Sequence, residues 1–251
     1  MIKFINKIMS LLGYAIYSKT ILKTYTYDYL KKEYIINDYD LAYINGKLNG
    51  GFKDKLIKEN KSRWLDVGCG GNFEDNFFYI DTFTHDKVGY NKNYIQADII
   101  NLTDADVEKL GKFDFIRMQH VFEHFTPEDG LKVLSNCAKI LNKDGYILMS
   151  TPDLNKFIAL YSNNKIKEYY DWALTRIDKE SPSSFYFSIF THSVLNEQHK
   201  WCYDAEGLMY QLSRSGYFYN ITEINIGDKL ANIPFTHNRP IEEVCVYAQL
   251  K

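Results

Sequence analysis

An acidic residue followed by closely spaced glycines is the segment of this sequence best suited to bind a small ligand. Asp66 ends a short apolar run, and Gly68, Cys69 and Gly70 follow it directly. The apolar run suits a buried strand, and the glycines suit a tight turn where the backbone approaches a ligand closely. A carboxylate at the carboxyl end of such a strand would repel a phosphate but attract an ammonium, a ribose hydroxyl or a sulfonium.

Four further polar residues follow apolar runs in the same way. Asp81 and Asp98 each end or follow a short run that suits a strand, and Gln119-His120 follows another. A neutral imidazole at the end of a strand could take the proton from an acceptor hydroxyl. The alternative is that His120 only shapes a ligand pocket, and the sequence leaves both interpretations open.

The segment from His120 to His124 also matches the HxxEH pattern of zinc peptidases. On a helix its two histidines would share one face and could bind a metal ion. However, the segment directly follows an apolar strand, and Pro127 would interrupt any long helix here. We therefore expect no metal site and interpret His124 as a structural residue.

Strands must alternate with helices to position these residues. Apolar runs predict strands near 63–67, 77–81, 94–99, 113–118, 146–150, 218–226 and 241–250. Thr126 with Pro127 predicts one helix start, and Asp204 predicts a second helix that ends at Gly216. The pattern predicts an α/β fold, a Rossmann-like seven-stranded, mostly parallel sheet with helices on both faces.

The order of these motifs resembles that of the class I S-adenosylmethionine-dependent methyltransferases, in particular their type 11 branch. The resemblance covers roughly residues 62 to 153. It implies S-adenosylmethionine as the cofactor, with the acid and glycines around its methionine part, Asp81 at the ribose hydroxyls and Asp98 at the adenine amino group. The cofactor contacts that we assign on this basis are Asp66, Gly68, Cys69, Gly70, Asp81, Asp98 and Gln119.

Two features depart from the pattern of that family. Asn72 occupies the third glycine position, and only about ten residues separate the glycines from the second strand, too few for a full crossover helix. A dinucleotide site is not expected either, because Phe73 stands where the GxGxxG pattern needs a glycine.

The remaining parts of the chain predict an arm and a lid. Residues 1–60 read as a helical arm, and residues 61–251 as the methyltransferase domain with an aromatic substrate lid at about 154–203. The lysine-rich stretch 1–24 could lie on an anionic membrane surface, contact a second subunit, or pack on its own domain. Near the end of the lid, His199 could act as a second base or bind an acceptor oxygen.

Composition limits the cellular setting and the class of partner. The net charge of −2 gives no support to nucleic-acid binding. The four cysteines form no CxxC pair, which favours reduced thiols in a cytoplasm, with the inner face of the membrane as a further option. No apolar run is long enough for a membrane span.

Taken with the resemblance, these features predict an O-methyltransferase that uses no metal, with His120 or His199 as the base. Relatives of the type 11 kind often act on sugars, so the expected acceptor is a sugar, a nucleotide-linked sugar or a phosphorylated intermediate of bacterial surface-polysaccharide (capsule) biosynthesis. The alternatives are N-methylation of an amino sugar and a module that binds the cofactor or a partner without catalysis.

Overall fold

The structure is a computed structural model that describes residues 63–70, 77–82, 93–163, 199–224 and 243–251, and elements are numbered within these ranges. The strands are β1 (Trp64–Val67), β2 (Phe77–Asp81), β3 (Tyr94–Gln96), β4 (Phe113–Gln119), β5 (Leu141–Pro152), β6 (Phe218–Ile224) and β7 (Glu243–Leu250). The helices are α1 (Asp104–Leu110), α2 (Pro127–Ile140), α3 (Leu154–Ser162) and α4 (Ala205–Ser215), with single 3₁₀ turns at Ile99–Asn101 and Phe122–His124.

All seven strands belong to one sheet, in the order β3-β2-β1-β4-β5-β7-β6. The neighbours from β3 to β5 pair in parallel, whereas β7 runs antiparallel to both β5 and β6. The predicted Rossmann-like, seven-stranded and mostly parallel sheet is thus confirmed. Because β1 lies between β2 and β4, the order of strands reverses beside β1, and ligands of open α/β sheets bind at the carboxyl ends of such strands.

Side chains of the strands alternate between two buried layers, as the period of a strand requires. Leu65 and Val67 of β1 face the larger layer, in which Leu134 of α2 and Leu208 of α4 also pack. Trp64 faces the opposite layer. The second layer also contains Cys69, Phe77, Tyr79, Phe115, Leu148, Ile224 and Cys245. Every strand that carries a predicted site residue is therefore fixed by apolar packing on both faces.

The two predicted helix starts are confirmed. Thr126 caps α2 by accepting a hydrogen bond from the backbone N–H of Asp129 at 3.2 Å, and Pro127 is the first helical residue. Asp204 caps α4 by accepting from the N–H of Gly207 at 2.8 Å, and Gly216 ends that helix in the left-handed conformation. Both caps start helices whose apolar faces cover the sheet.

Two predicted segments lie partly or wholly outside the described residues. The N-terminal arm at 1–60 lies outside them, as does most of the lid predicted at about 154–203. Of the lid region, α3 and residues 199–203 are described, and an isolated bridge joins Asp153 to Tyr203. Among the described residues, no helix is both long and apolar enough to span a membrane.

Candidate active site

A cavity of about 250 Å³ opens where β1, β2 and β4 end. Its lining among the described residues is Val67, Gly68, Gly70, Ile80, Asp81, Thr82, Ala97, Asp98, Ile99, His120, Val121, His124 and Phe125. The structure therefore brings five predicted site residues to one cavity: Gly68, Gly70, Asp81, Asp98 and His120. The other predicted residues, Asp66, Cys69, Gln119 and His199, are not part of this lining.

The loop after β1 is held against the end of β2 by two backbone N–H groups. The N–H of Gly68 donates to the carbonyl of Ile80 at 2.8 Å, and that of Gly70 donates to Oδ2 of Asp81 at 3.1 Å. Both glycines have positive φ, +70° and +56°. A Cβ on Gly68 would lie 2.5 Å from Cγ2 of Val121, so only glycine fits between β1 and the chain after β4.

The two acids at the cavity are both anchored by backbone N–H groups. Asp81 ends β2 and receives the Gly70 bond, which fixes its carboxylate at the cavity wall. Asp98 caps the first 3₁₀ turn, where its Oδ1 accepts from the N–H of Ile100 at 2.9 Å and its Oδ2 from Nδ2 of Asn101 at 2.7 Å. An ionised carboxylate oxygen has two acceptor sites, so each acid can still bind a hydroxyl or an amino group.

Asp66 has a different environment from the one that the sequence suggested. Its Oδ2 lies 2.7 Å from Nη2 of Arg117 in a buried ion pair, and the guanidinium of Arg117 lies 4.1 Å from the ring centroid of Phe77. Asp66 and Arg117 are register partners on β1 and β4, which explains the pairing. Arg117 was not among the residues predicted from the sequence. The signal was the single basic residue inside the apolar run of β4, whose partner could be named only from the strand order.

His120 is held between two buried carboxylates. Its Nε2 lies 3.2 Å from Oε2 of Glu243, at the start of β7, and its Nδ1 lies 3.5 Å from Oε1 of Glu123. Both acids are only 1% exposed. The backbone of His120 is left-handed, with φ +56°, and its N–H donates to the carbonyl of Ser150 at 2.8 Å. The sequence analysis did not identify Glu243, which is far from His120 in the chain.

A second group of polar side chains lies beside His120. One ligand atom from each of Glu123, His124 and His199 falls within 4.8 Å of the others. The rings of His124 and His199 meet edge to face, with centroids 4.8 Å apart. Burial would raise the pKa of the Glu123 carboxyl, but its contact with His120 and the positive charge that His120, His124 and His199 can carry outweigh burial and lower this pKa below its usual value.

One known protein family matches most of this chain. A family described as a methyltransferase domain matches residues 46–217, which is more than half of the chain. The chain belongs to this methyltransferase-domain family. The predicted class of enzyme is thereby confirmed at the level of the methyltransferase family, and S-adenosylmethionine is confirmed as the cofactor.

Solved structures of similar fold include several methyltransferases. An S-adenosylmethionine-dependent methyltransferase from Clostridium acetobutylicum ATCC 824 is 13% identical, with 88% of this chain and 96% of that chain covered and a TM-score of 0.47. The N-methyltransferase NodS from Bradyrhizobium japonicum WM9, in complex with S-adenosyl-L-homocysteine, is 13% identical, with 91% and 98% covered and a TM-score of 0.44. No curated protein matches the chain significantly.

The cavity of this methyltransferase-domain protein fits its cofactor by the chemistry of its wall. The wall offers two carboxylates that can accept hydrogen bonds, from Asp81 and Asp98, and a loop at Gly68 that has no room for a side chain. Hydroxyl and amino groups need such acceptors, and an elongated ligand needs close approach to the backbone. The buried Asp66 carboxylate pairs with Arg117 of the neighbouring strand β4, and its predicted contact with the cofactor stays a prediction.

Proposed function

We propose that this protein transfers the methyl group of S-adenosylmethionine to an oxygen atom of a small polar acceptor. The observation that supports this proposal is the proximity of two sets of residues at one cavity. Asp81 and Asp98 line it together with His120, which has a buried carboxylate partner in Glu243. A site for the methyl donor and a group able to remove a proton therefore share the same space.

Cofactor binding is the task that we assign to the loop and the two anchored acids. The glycines at 68 and 70 admit the methionine part, Asp81 accepts from the ribose hydroxyls, and Asp98 accepts from the adenine amino group. When bound, the cofactor supplies an electrophilic methyl carbon on a sulfonium. The protein then mainly has to align the acceptor oxygen with that carbon and to exclude water.

His120 is the base in this proposal. With its proton on Nε2, it donates a hydrogen bond to Oε2 of Glu243, at 3.2 Å, and Nδ1, which lies 3.5 Å from Oε1 of Glu123, takes the proton of the acceptor hydroxyl. The buried Glu243 carboxylate orients the ring and stabilises the imidazolium that forms when the proton arrives, as the acid of a catalytic triad does. His199, the second base suggested by the sequence, is not part of the cavity lining and packs against His124.

We further propose a carbohydrate-related acceptor: a sugar, a nucleotide-linked sugar or a phosphorylated intermediate of bacterial surface-polysaccharide biosynthesis. This part rests on the type 11 resemblance of residues 62 to 153 and on the polar groups of the cavity. A hydroxyl-rich acceptor suits a wall that offers imidazole and carboxylate groups, because each of them can accept or exchange a proton with a hydroxyl.

The test begins with calorimetry of the full chain with S-adenosylmethionine and with S-adenosylhomocysteine. We expect both to bind at one site per chain. Methyl-labelled cofactor is then incubated with a panel of sugars, nucleotide sugars and amino sugars, and the products are analysed by mass spectrometry and NMR. An O-methyl ether is the expected product.

Each other outcome has a definite meaning. If neither S-adenosylmethionine nor S-adenosylhomocysteine bound, the methyltransferase assignment for this chain would be refuted. An N-methyl product would replace the oxygen acceptor by a nitrogen acceptor. Binding without transfer to any acceptor in the panel, in a sample that is folded by circular dichroism, would favour a cofactor-binding module over an enzyme.

A further inference from the structure

Glu123 is a buried carboxylate that lacks well-formed hydrogen bonds to the described residues. It is 1% exposed, and neither of its carboxylate oxygens has a hydrogen-bond partner of good geometry within the described ranges. Its Oε1 lies 3.5 Å from Nδ1 of His120, which is at the long limit for a hydrogen bond. A buried charge is costly unless it is paired or binds a metal ion.

His124 and His199 complete a set of metal-binding groups around this carboxylate. The three potential ligand atoms lie within 4.8 Å of one another. Ligand atoms of a tetrahedral zinc site are roughly 3.4 Å apart when each lies about 2.1 Å from the ion. Small rotations of the three side chains would close the difference. Two imidazoles and one carboxylate are a common ligand set for divalent transition metals.

The backbone already holds the two ligand-bearing segments together. The N–H groups of Lys200 and Trp201 donate to the backbone carbonyl of Glu123, at 2.8 and 3.2 Å. Glu123 and His124 lie in the 3₁₀ turn Phe122–His124, and His199 directly precedes Lys200. The site is thus assembled before an ion binds, so little ordering of the chain opposes binding.

We propose that Glu123, His124 and His199 bind one divalent transition-metal ion at the wall of the cavity. The cation supplies positive charge next to the buried carboxylate of Glu123. It also draws the Glu123 carboxylate toward the ion and so leaves Nδ1 of His120 free of that contact. Since His124 lines the cavity, the ion lies next to the space proposed for the acceptor.

This proposal replaces the expectation from the sequence that no metal binds here. That expectation rested on Pro127, which excludes the long helix on which His120 and His124 would act as paired ligands. The structure agrees about the helix, since α2 begins at Pro127 and the preceding turn is short. The two histidines of the proposed site, however, are His124 and His199, which the fold brings together from distant parts of the chain.

Metal titration of the full chain tests the site without reference to methyl transfer. The protein is stripped with a chelator, and Zn²⁺ and Co²⁺ are titrated by calorimetry and by the visible absorption of Co²⁺. We expect one ion per chain. Glu123→Gln and His199→Ala should each weaken binding by at least roughly 100-fold, beyond the usual loss for a residue that only supports a ligand.

Glu206→Gln is the matched control, because Glu206 lies in the first turn of α4, outside the cluster. It should bind the ion as the unmodified chain does. Binding of S-adenosylhomocysteine and circular dichroism on the same samples show whether each variant is folded, and Glu123→Gln preserves the shape of the side chain if His199→Ala does not fold. No saturable binding, equal binding in the ligand variants, or equal weakening in Glu206→Gln would each overturn the proposal, whatever the result for methyl transfer.

Discussion

The two walls of the cavity are built in different ways. The cofactor side consists of Gly68, Gly70, Asp81 and Asp98. The histidine side consists of His120 and His124, which line the cavity, and of Glu123, His199 and Glu243, which pack behind them. On the cofactor side, backbone N–H groups hold the carboxylates, and all four residues lie at the carboxyl ends of three consecutive strands, β1, β2 and β3. On the histidine side, side chains contact side chains that are distant in sequence.

Because of this difference, the two sides place different requirements on the sequence. Backbone anchoring depends on residue type at one position, such as glycine at 68, and it tolerates variation around that position. A network of buried carboxylates and imidazoles depends on every member, because the loss of one leaves another charge or polar group unsatisfied. The cofactor side should therefore respond to substitutions locally, and the histidine side as a unit.

The largest effect should follow His120→Asn, which removes the proposed base. Asparagine tolerates the left-handed backbone at this position, where φ is +56°, so little backbone strain is added. We expect kcat to fall by roughly 100-fold to 10,000-fold, the range for loss of a general base. The affinity for S-adenosylhomocysteine, measured by calorimetry, should change by less than about threefold, since each bond lost is on the histidine side. A parallel loss of both quantities would show that the two sides are not separable.

Gly68→Ala should have the next largest effect, on cofactor affinity. The new methyl group meets Cγ2 of Val121 at 2.5 Å, and the backbone at φ +70° disfavours any side chain. We expect roughly 100-fold weaker binding of S-adenosylhomocysteine, of which about 1–2 kcal/mol comes from the backbone conformation alone. Gly70→Ala is the matched control, because φ is also positive there but no atom of the described residues lies within 4 Å of the added Cβ.

The steric part of that effect can be isolated. Val121→Ala removes the contacting methyl groups, so the double variant Gly68→Ala/Val121→Ala should recover part of the lost affinity. If Gly68→Ala and Gly70→Ala weakened cofactor binding equally, with no recovery in the double variant, the positive φ of both glycines would determine cofactor affinity. The space at Gly68 would then contribute little.

Asp81→Asn should weaken the cofactor by about tenfold, which corresponds to the lower end for a hydrogen bond to a charged group. Asp98→Asn should have a smaller effect, because both of its carboxylate oxygens are already bonded within the 3₁₀ turn. Calorimetry with S-adenosylhomocysteine measures both. If Asp98→Asn weakened binding more than Asp81→Asn, the contact proposed for Asp98 with adenine would contribute more to affinity than the contact proposed for Asp81 with ribose.

The smallest effect is expected in the rate at which the cysteines are alkylated. This measurement compares the two sides of the cavity without any substitution. Cys202, three residues after His199, is half-buried, whereas Cys69, Cys137 and Cys245 are buried. Burial raises the pKa of the Cys202 thiol, so less thiolate is present at neutral pH than for an ordinary cysteine. Alkylation in the native state should therefore be slow at pH 7, faster with each rise in pH, and confined to Cys202, as peptide mapping will show. Earlier labelling of Cys69 would mean that the cofactor side is the more open one.

The cofactor side could be predicted from sequence because its signals are local. Asp81 and Asp98 each follow a strand-like run, and the carboxyl ends of parallel strands share one edge of the sheet. The residues that were missed, Arg117 and Glu243, depend on strand register. Arg117 meets Asp66 only because β4 lies beside β1 in that register, and Glu243 reaches His120 only through the antiparallel insertion of β7 beside β5.

The prediction that no metal binds here took account only of residues close in sequence, for the same reason. A pattern such as HxxEH is evaluated within a few residues, where Pro127 argues against it. Nothing in the local sequence shows that His199 will lie against His124, since that contact depends on the hydrogen bonds of Lys200 and Trp201 to Glu123.

The place of β7 in the sheet has a consequence for synthesis on the ribosome. Among the described strands, β7 is translated last, yet it lies between β5 and β6 and not at an edge. A nascent chain that has reached Ile224 contains every residue of the cofactor side but lacks Glu243, and its sixth strand has no neighbour to pair with. Because domains fold as they emerge, the growing chain can form its methyl-donor pocket while the acid that orients His120 is still untranslated.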